Sequence, residues 1–188
     1  MIKKSNLIIL VAPSGAGKSS FLSRILEEDA RLRDLVTYTT RTPRANEVEG
    51  QDYFFVDEEN FLQRESEGFF IETARVHGNL YGTPLDQLKR HWSEGKAVIM
   101  DVDVQGARAI RAKYLNALTI FIMPPSIDEL RRRILVRSNG KPPANLELRL
   151  ENARREMEQA EEFDIRVLND EFESSYAQFK KIIEESLD

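Results

Sequence analysis

A glycine-rich segment that follows an apolar run carries the clearest chemical signal in the sequence. It leads into Gly17-Lys18-Ser19, at the spacing of the phosphate-binding pattern G-x-x-x-x-G-K-[ST]. Glycines let backbone N–H groups approach a phosphate, Lys18 supplies a cation, and the Ser19 hydroxyl suits Mg²⁺. The pattern predicts a triphosphate-binding loop formed by Ala12, Pro13, Ser14, Gly15, Ala16, Gly17, Lys18, Ser19 and Ser20.

The first position of this pattern is Ala12 instead of glycine. Alanine is acceptable there if the backbone φ is negative, and it costs about 1 kcal/mol or more if φ must be positive. Most phosphate contacts in the motif come from the later amides and from Lys18. We therefore expect the loop to function.

The scaffold that holds this loop is indicated by apolar runs of the buried-strand type at 7–11, 97–100, 118–123 and 165–168. Amphipathic segments of helical length separate the runs. This alternation predicts an α/β fold in which a parallel sheet is flanked by helices on both faces.

Three local signals predict where helices begin. Ser126 and Glu129 have the spacing of a capping box, and Thr83-Pro84 reads as an N-cap followed by a helical proline. Asn145 is a candidate cap for a charged helix that reaches about Glu162.

Two segments differ from the α/β pattern. Residues 35–85 contain short β-rich pieces joined by polar turns, which predicts a small lobe inserted into a core of residues 1–34 and 86–188. The segment at about 137–146 is rich in glycine and proline and predicts a mobile lid. Hinges are expected near residues 35 and 95 and at the lid.

Composition excludes several classes of protein. The 188 residues suit one core, and no apolar stretch approaches the roughly 20 residues of a membrane helix. A net charge of −5 argues against a nucleic-acid partner. With only His77 and His91 and no cysteine, a structural zinc site has too few ligands. We expect a cytoplasmic protein without a membrane partner, either a monomer or a small homo-oligomer.

Six motifs in order along nearly the whole chain carry a family resemblance. Besides the loop they lie at 36–56, 70–72, 79–84, 101–106 and 124–126. Together they make the chain resemble guanylate kinases, which phosphorylate GMP with ATP. The resemblance implies the P-loop nucleoside-monophosphate-kinase fold, with 35–85 as the GMP-binding lobe.

The resemblance also implies how guanine is read. Glu72 matches the carboxylate that accepts from N1–H and the N2 amine of the base. Thr37 and Thr83 match positions whose hydroxyls hold the base, and Asp103 matches an acidic position near it. Adenine reverses this donor and acceptor pattern, so discrimination of roughly 10⁴-fold is attainable.

The GMP phosphate has its own set of matching residues. Arg41 and Arg44, with Tyr53 and Tyr81, match the family's clamp on this group. Forked guanidinium groups bind phosphate oxygens bidentately, and phenol hydroxyls add hydrogen bonds. Arg41 is therefore assigned both to GMP binding and to catalysis.

Transfer between two phosphates needs alignment and charge neutralisation more than a base. Lys18 is expected to bridge the β and γ phosphates of ATP, Ser19 to ligate Mg²⁺, and Asp101 to order the water shell of the metal.

Further catalytic groups are expected from the lid. Arg137 and Arg149 match arginines that close over ATP, although the spacing between them is shifted by about one residue. The run 131–133 offers alternative arginines. Asn169 matches a stretch that lies against adenine.

Two alternatives remain open at this point. One is another P-loop small-molecule kinase, such as a ribose bisphosphate kinase, against which Glu72, Thr37 and Thr83 argue because a sugar phosphate has no base to read. The other is a non-catalytic guanylate-kinase-like binding module, against which the intact Gly17-Lys18-Ser19 segment argues.

Overall fold

The computed structural model describes residues 2–76, 78–138 and 140–188. His77, which has no predicted role, and Asn139, which falls within the predicted lid, lie outside the described residues. The strands are β1 (Leu7–Val11), β2 (Leu32–Arg33), β3 (Tyr38–Thr39), β4 (Phe54–Phe55), β5 (Phe70–Val76), β6 (Asn79–Pro84), β7 (Ala97–Asp101), β8 (Leu118–Met123) and β9 (Ile165–Leu168). The helices are α1 (Lys18–Glu28), α2 (Glu58–Ser66), α3 (Leu85–Ser93), α4 (Val104–Lys113), α5 (Ile127–Arg137), α6 (Leu146–Glu158) and α7 (Phe172–Leu187).

The larger sheet has five parallel strands in the order β2-β7-β1-β8-β9. Alternate residues of β1 enter opposite cores. Ile8 and Leu10 pack with α1 and α7, whereas Leu7 and Ile9 pack with α3 and α4. Both faces are covered, which explains why β1 is apolar at every position. The predicted α/β fold is confirmed.

The order of these strands determines where chemistry can occur. Leu10 of β1 lies beside Asp101 at the end of β7, and β2 ends on the other side of β7. The carboxyl ends of parallel strands open into a crevice at the sheet edge. The glycine-rich loop after β1 therefore faces the residues that follow β2 and β7.

A second sheet lies within residues 38–84, in the order β4-β3-β6-β5. Its own small core contains Phe61, Phe70 and Leu80. A Cβ atom at Gly82 would lie 2.8 Å from Phe70 and 2.9 Å from Phe61, so glycine permits the aromatic packing. Helix α2 supplies Phe61 and was not predicted among the β-rich pieces.

Two predicted helix starts differ in detail. The Ser126 hydroxyl accepts from the Glu129 N–H at 3.1 Å, but the Glu129 carboxylate binds Arg132 and Arg133 and does not complete a capping box. Asn145 precedes α6 without a side-chain cap, and α6 ends at Glu158, with a 3₁₀ turn after it.

The predicted cap at Thr83-Pro84 is wrong. Both residues belong to β6, and α3 begins at Leu85 with no side-chain cap. The Thr83 hydroxyl instead donates to Glu72 across the sheet. The hydroxyl that the local pattern assigned to capping α3 therefore pairs with a residue of the neighbouring strand β5.

Within the described residues, no helix has both the length and the apolar character needed to cross a bilayer.

Candidate active site

A cleft of about 1210 Å³ opens at the carboxyl ends of the parallel strands, between the glycine-rich loop, the second sheet, α5 and α6. Most of the predicted site residues line it. They are Ala12, Pro13, Ser14, Gly15, Gly17, Lys18, Ser19, Ser20, Thr37, Arg44, Tyr53, Glu72, Tyr81, Thr83, Asp101, Asp103, Arg137 and Arg149. Three predicted residues, Ala16, Arg41 and Asn169, do not belong to this lining.

The backbone of the glycine-rich loop requires glycine at two positions. Gly15 and Gly17 have φ of 96° and 99°, in the left-handed region. A Cβ atom at Gly17 would also lie 2.6 Å from Nδ2 of Asn169. Gly17 is the N-cap residue of α1, so this turn presents the N–H groups of the first helical turn to the cleft. An anion is the fitting ligand.

Lys18 is held at the junction of β1 and β7. Its ammonium donates to the Val102 carbonyl at 3.3 Å and lies 3.4 Å from the Asp101 carboxylate. The side chain is 19% exposed, and it faces the cleft. A cation placed beside the loop amides is positioned to bind a phosphate group.

The alanines and Asn169 support the loop from behind. Ala12 packs against two apolar clusters, so its methyl group adds contacts there. Ala16 is fully buried beneath α5 and α6. The buried Asn169 amide donates to the Ala16 carbonyl at 2.7 Å, which fixes the loop to the end of β9.

Glu72 and Thr83 form a buried polar pair on the second sheet. They face each other in the register of β5 and β6, and the Thr83 hydroxyl donates to the Glu72 carboxylate at 2.7 Å. Burial raises the pKa of Glu72, the Thr83 hydrogen bond opposes that rise, and the Asp103 carboxylate adds to it. The pair presents a carboxylate and a hydroxyl oxygen to the cleft.

Asp103 has a structural contact besides its predicted place near the base. Its carboxylate caps α4 by accepting from the Gly106 N–H at 2.7 Å. A Cβ atom at Gly106 would lie 3.2 Å from a Glu72 oxygen and 3.3 Å from an Asp103 oxygen. The glycine leaves room for both carboxylates at the start of α4.

The predicted phosphate clamp comes together around aromatic rings. The Arg41 guanidinium lies 5.3 Å from the Tyr53 ring centroid, and the Tyr53 and Tyr81 rings are 6.1 Å apart. Arg41 binds Glu47 at 2.7 Å, whereas the Arg44 side chain is 75% exposed. Burial raises the pKa of Tyr53, which keeps its hydroxyl available as a donor.

The two helices beside the predicted lid contribute arginines to the cleft. Arg149 of α6 donates to the Ser14 hydroxyl of the loop at 2.7 Å, and Arg137 is exposed at the end of α5. Among the alternatives at 131–133, Arg133 lines the cleft and donates to the Asn169 carbonyl at 2.9 Å. Arg131 instead binds Glu147 on α6.

Sequence reasoning missed three carboxyl groups in the cleft, those of Asp34, Asp52 and Glu156. Asp34 follows β2 and remains exposed at the cleft surface, where partial desolvation together with the nearby Asp101 charge raises its pKa to about 7. Glu156 lies seven residues after Arg149 on the same face of α6. Burial raises the pKa of Glu156, while the Lys18 charge opposes that rise. Asp34 could not be predicted because the two-residue strand before it is too short to give a periodic signal. Glu156 could have been predicted from its seven-residue spacing after Arg149 on α6.

The donors present fit a hard cation shared with phosphate. Within the described residues, no group of three His, Cys, Asp or Glu side chains could hold a metal by itself. The exposed Ser19 hydroxyl and the Asp101 carboxylate supply oxygens in the cleft. Mg²⁺ is commonly bound in this way, by few protein ligands plus substrate phosphates.

Known proteins resemble this chain in sequence and in fold. A family model described as guanylate kinase matches residues 4–186. The guanylate kinase of Bdellovibrio bacteriovorus is 52% identical over 98% of this chain and 99% of the relative, and that of Thermotoga maritima is 43% identical over 96% and 86%. A crystal structure of guanylate kinase from Anaplasma phagocytophilum, 31% identical, superposes with a TM-score of 0.79 over 100% of this chain and 88% of that one. The chain belongs to the guanylate kinase family.

Proposed function

We propose that this chain is a nucleoside monophosphate kinase that transfers the γ-phosphate of ATP to GMP, and also to dGMP, giving ADP and the guanosine diphosphate. The observation that supports it most is the buried Glu72 and Thr83 pair, which shares a cleft with the loop that carries Lys18. A carboxylate beside a hydroxyl matches the Watson–Crick edge of guanine. Adenine would leave these buried groups unpaired.

The donor half of the site is the glycine-rich loop. Lys18 and the N–H groups at the start of α1 bind the β and γ phosphates of ATP and offset the charge that moves during transfer. Asn169 acts from behind the loop, because its amide holds the Ala16 carbonyl. Asn169 therefore contributes to ATP binding indirectly, by supporting the loop.

The acceptor half binds GMP through the base and the phosphate. Glu72, Thr83 and Thr37 hold the base, with Asp103 beside it. The phosphate is held by Arg41, Arg44, Tyr53 and Tyr81. Its oxygen is already ionised at neutral pH, so it attacks without a general base, and the arginines offset the repulsion between the two substrates.

The lid supplies charge from the opposite side of the cleft. Arg137 and Arg149 bind the transferring phosphate when residues 137–146 close. The Arg149 side chain already reaches the loop at Ser14, which supports this role. Closure excludes water and so limits wasteful hydrolysis of ATP.

Mg²⁺ would be held by Ser19 and by the phosphate oxygens, with Asp101 ordering its water shell, and it would supply charge neutralisation.

We place the core in residues 1–34 and 86–188 and the GMP-binding lobe in residues 35–85. We further propose a cytoplasmic enzyme, a monomer or a small homo-oligomer, that acts on small nucleotides with no nucleic-acid or membrane partner.

The test is an acceptor panel assayed with ATP and Mg²⁺. GMP, dGMP, AMP, UMP and ribose 1,5-bisphosphate are offered separately, and ADP formation is measured. GMP should be used best, with roughly 10⁴-fold discrimination against AMP. Better use of ribose 1,5-bisphosphate would support the sugar phosphate kinase instead.

The binding-module alternative needs a second variant. Lys18→Met removes the loop cation and should abolish transfer while GMP binding persists. If the wild-type protein bound GMP and transferred no phosphate, the binding module would be correct. If Lys18→Met remained fully active, the loop would not be the donor site.

A further inference from the structure

Glu47 lies in the second lobe between the two arginines of the predicted phosphate clamp. Its Oε1 accepts from the Arg41 guanidinium at 2.7 Å, and its Oε2 accepts from the Arg44 backbone N–H at 2.8 Å. The Arg44 guanidinium lies 3.8 Å from the same carboxylate. One side chain thus contacts both arginines.

The side chains of Arg41 and Glu47 are largely buried, unlike those of most ion pairs among the described residues. The two side chains are 15% and 14% exposed. The Arg41 guanidinium also lies 5.3 Å and 5.8 Å from the rings of Tyr53 and Phe55. The hydrogen bond from Arg41 lowers the pKa of Glu47, so the carboxylate is charged at neutral pH. These contacts restrict the orientation of the Arg41 guanidinium.

We propose that Glu47 is the positioning residue of the phosphate clamp: its carboxylate fixes the Arg41 guanidinium and the turn that carries Arg44, so that both cations await the acceptor phosphate. This inference rests on the proposed function and adds a residue to it. An arginine that is already ordered loses less side-chain entropy when the phosphate binds, and preorganisation of this kind increases affinity. Glu47 itself does not belong to the lining of the cleft.

The contacts of Glu47 separate into two parts that variants can test. Glu47→Gln keeps an oxygen for the Arg44 N–H but removes the charge that holds Arg41. Glu47→Ala removes both contacts. The matched control is Glu58→Gln, which breaks the exposed ion pair with Arg75 in the same lobe, 3.0 Å apart.

To test whether Glu47 positions the phosphate clamp, the affinity for GMP is compared with the affinity for guanosine, which lacks the phosphate. Glu47→Gln should weaken GMP binding and raise the KM for GMP about tenfold, and Glu47→Ala up to about a hundredfold. Guanosine affinity and the KM for ATP should stay within about twofold, and Glu58→Gln should match the wild type.

Two results would overturn the inference. Unchanged GMP binding in Glu47→Ala would show that the clamp does not need Glu47. Equal losses for GMP and guanosine would show that Glu47 supports only the fold of the lobe. If melting curves show that Glu47→Gln is unfolded, Glu47→Asp is measured by the same criteria. Failure of the wild type to phosphorylate GMP in the same assay would refute the proposed function instead.

Discussion

The proposed role of Glu72 conflicts with its buried position. Reading guanine requires an ionised carboxylate, whereas burial raises the pKa of this group and so penalises its charged form. The Thr83 hydrogen bond offsets part of that penalty. Specificity at this residue is therefore expected to cost stability.

Glu72→Gln separates the two requirements. The amide cannot accept both guanine donors, so kcat/KM for GMP should fall about 10²-fold or more, with the KM for ATP unchanged. The free energy of unfolding at neutral pH should rise, because the penalised charge is gone. Steady-state kinetics and chemical denaturation measure the two effects. Unchanged GMP kinetics would show that Glu72 does not read the base.

Asp34 provides a prediction about pH. The ordinary aspartate pKa is 3.8 and that of Asp34 is about 7, so the folded state binds more protons than the unfolded chain in this interval. Stability contributed by this group therefore falls as pH rises from about 4 to about 7. The carboxyl is open to the cleft, so water screens part of the penalty.

Asp34→Asn should remove this dependence on pH. The variant should gain stability over the wild type at pH 8 and show little gain at pH 4, as measured by urea denaturation at both pH values. An equal change at both would contradict the assigned pKa.

The loop, α1 and β9 act as one unit at the scale of elements. Gly17 avoids a clash with Asn169, and the Asn169 amide bonds the Ala16 carbonyl. The Ala16 carbonyl of the loop is thus bonded to a residue that lies more than 150 positions later in the chain. Loop geometry depends on how β9 docks beside β8.

Asn169→Ala should lower the free energy of unfolding by about 1–3 kcal/mol, because the buried Ala16 carbonyl loses its donor. The KM for ATP should rise while the affinity for GMP stays the same. Denaturation and kinetics test this, with the exposed Asn60→Ala as the control. If the KM for ATP did not change, Asn169 would have no part in shaping the loop.

The whole molecule brings two anionic substrates together in a protein of net charge −5. Carboxyl groups of Asp34, Asp101 and Glu156 share the cleft with Lys18. In the proposed function, the arginines that offset the substrate charge come from the second lobe and from the helices beside the lid. Repulsion is then overcome only when these parts approach one another.

We predict that the molecule closes when both substrates bind. Small-angle scattering should show a smaller radius of gyration with GMP and a non-hydrolysable ATP analogue, through hinges near residues 35 and 95 and at 137–146. Lys18→Met should close less, because it binds the analogue less well. Crystals with and without both nucleotides that superpose rigidly would contradict closure.

Much of the fold can be predicted from the sequence because buried positions must be apolar, and this shows in the local pattern of residues. Strands β1 and β8 match their predicted bounds, since a strand buried on both faces must be apolar throughout. The predicted cap at Thr83 was wrong because its hydroxyl donates to Glu72 in the neighbouring strand. Local patterns do not encode that competition.

The sequence alone determined the parallel sheet, the glycine-rich loop and the types of residue that are proposed to bind phosphate and guanine. Each depends on the periodicity of neighbouring residues or on a short motif. The tertiary structure decided that Glu47 holds Arg41, that Asn169 supports Ala16, and that the charge of Asp101 acts on Asp34. These contacts depend on strand order and register, which bring distant residues within hydrogen-bonding distance or electrostatic range and change their pKa values through burial.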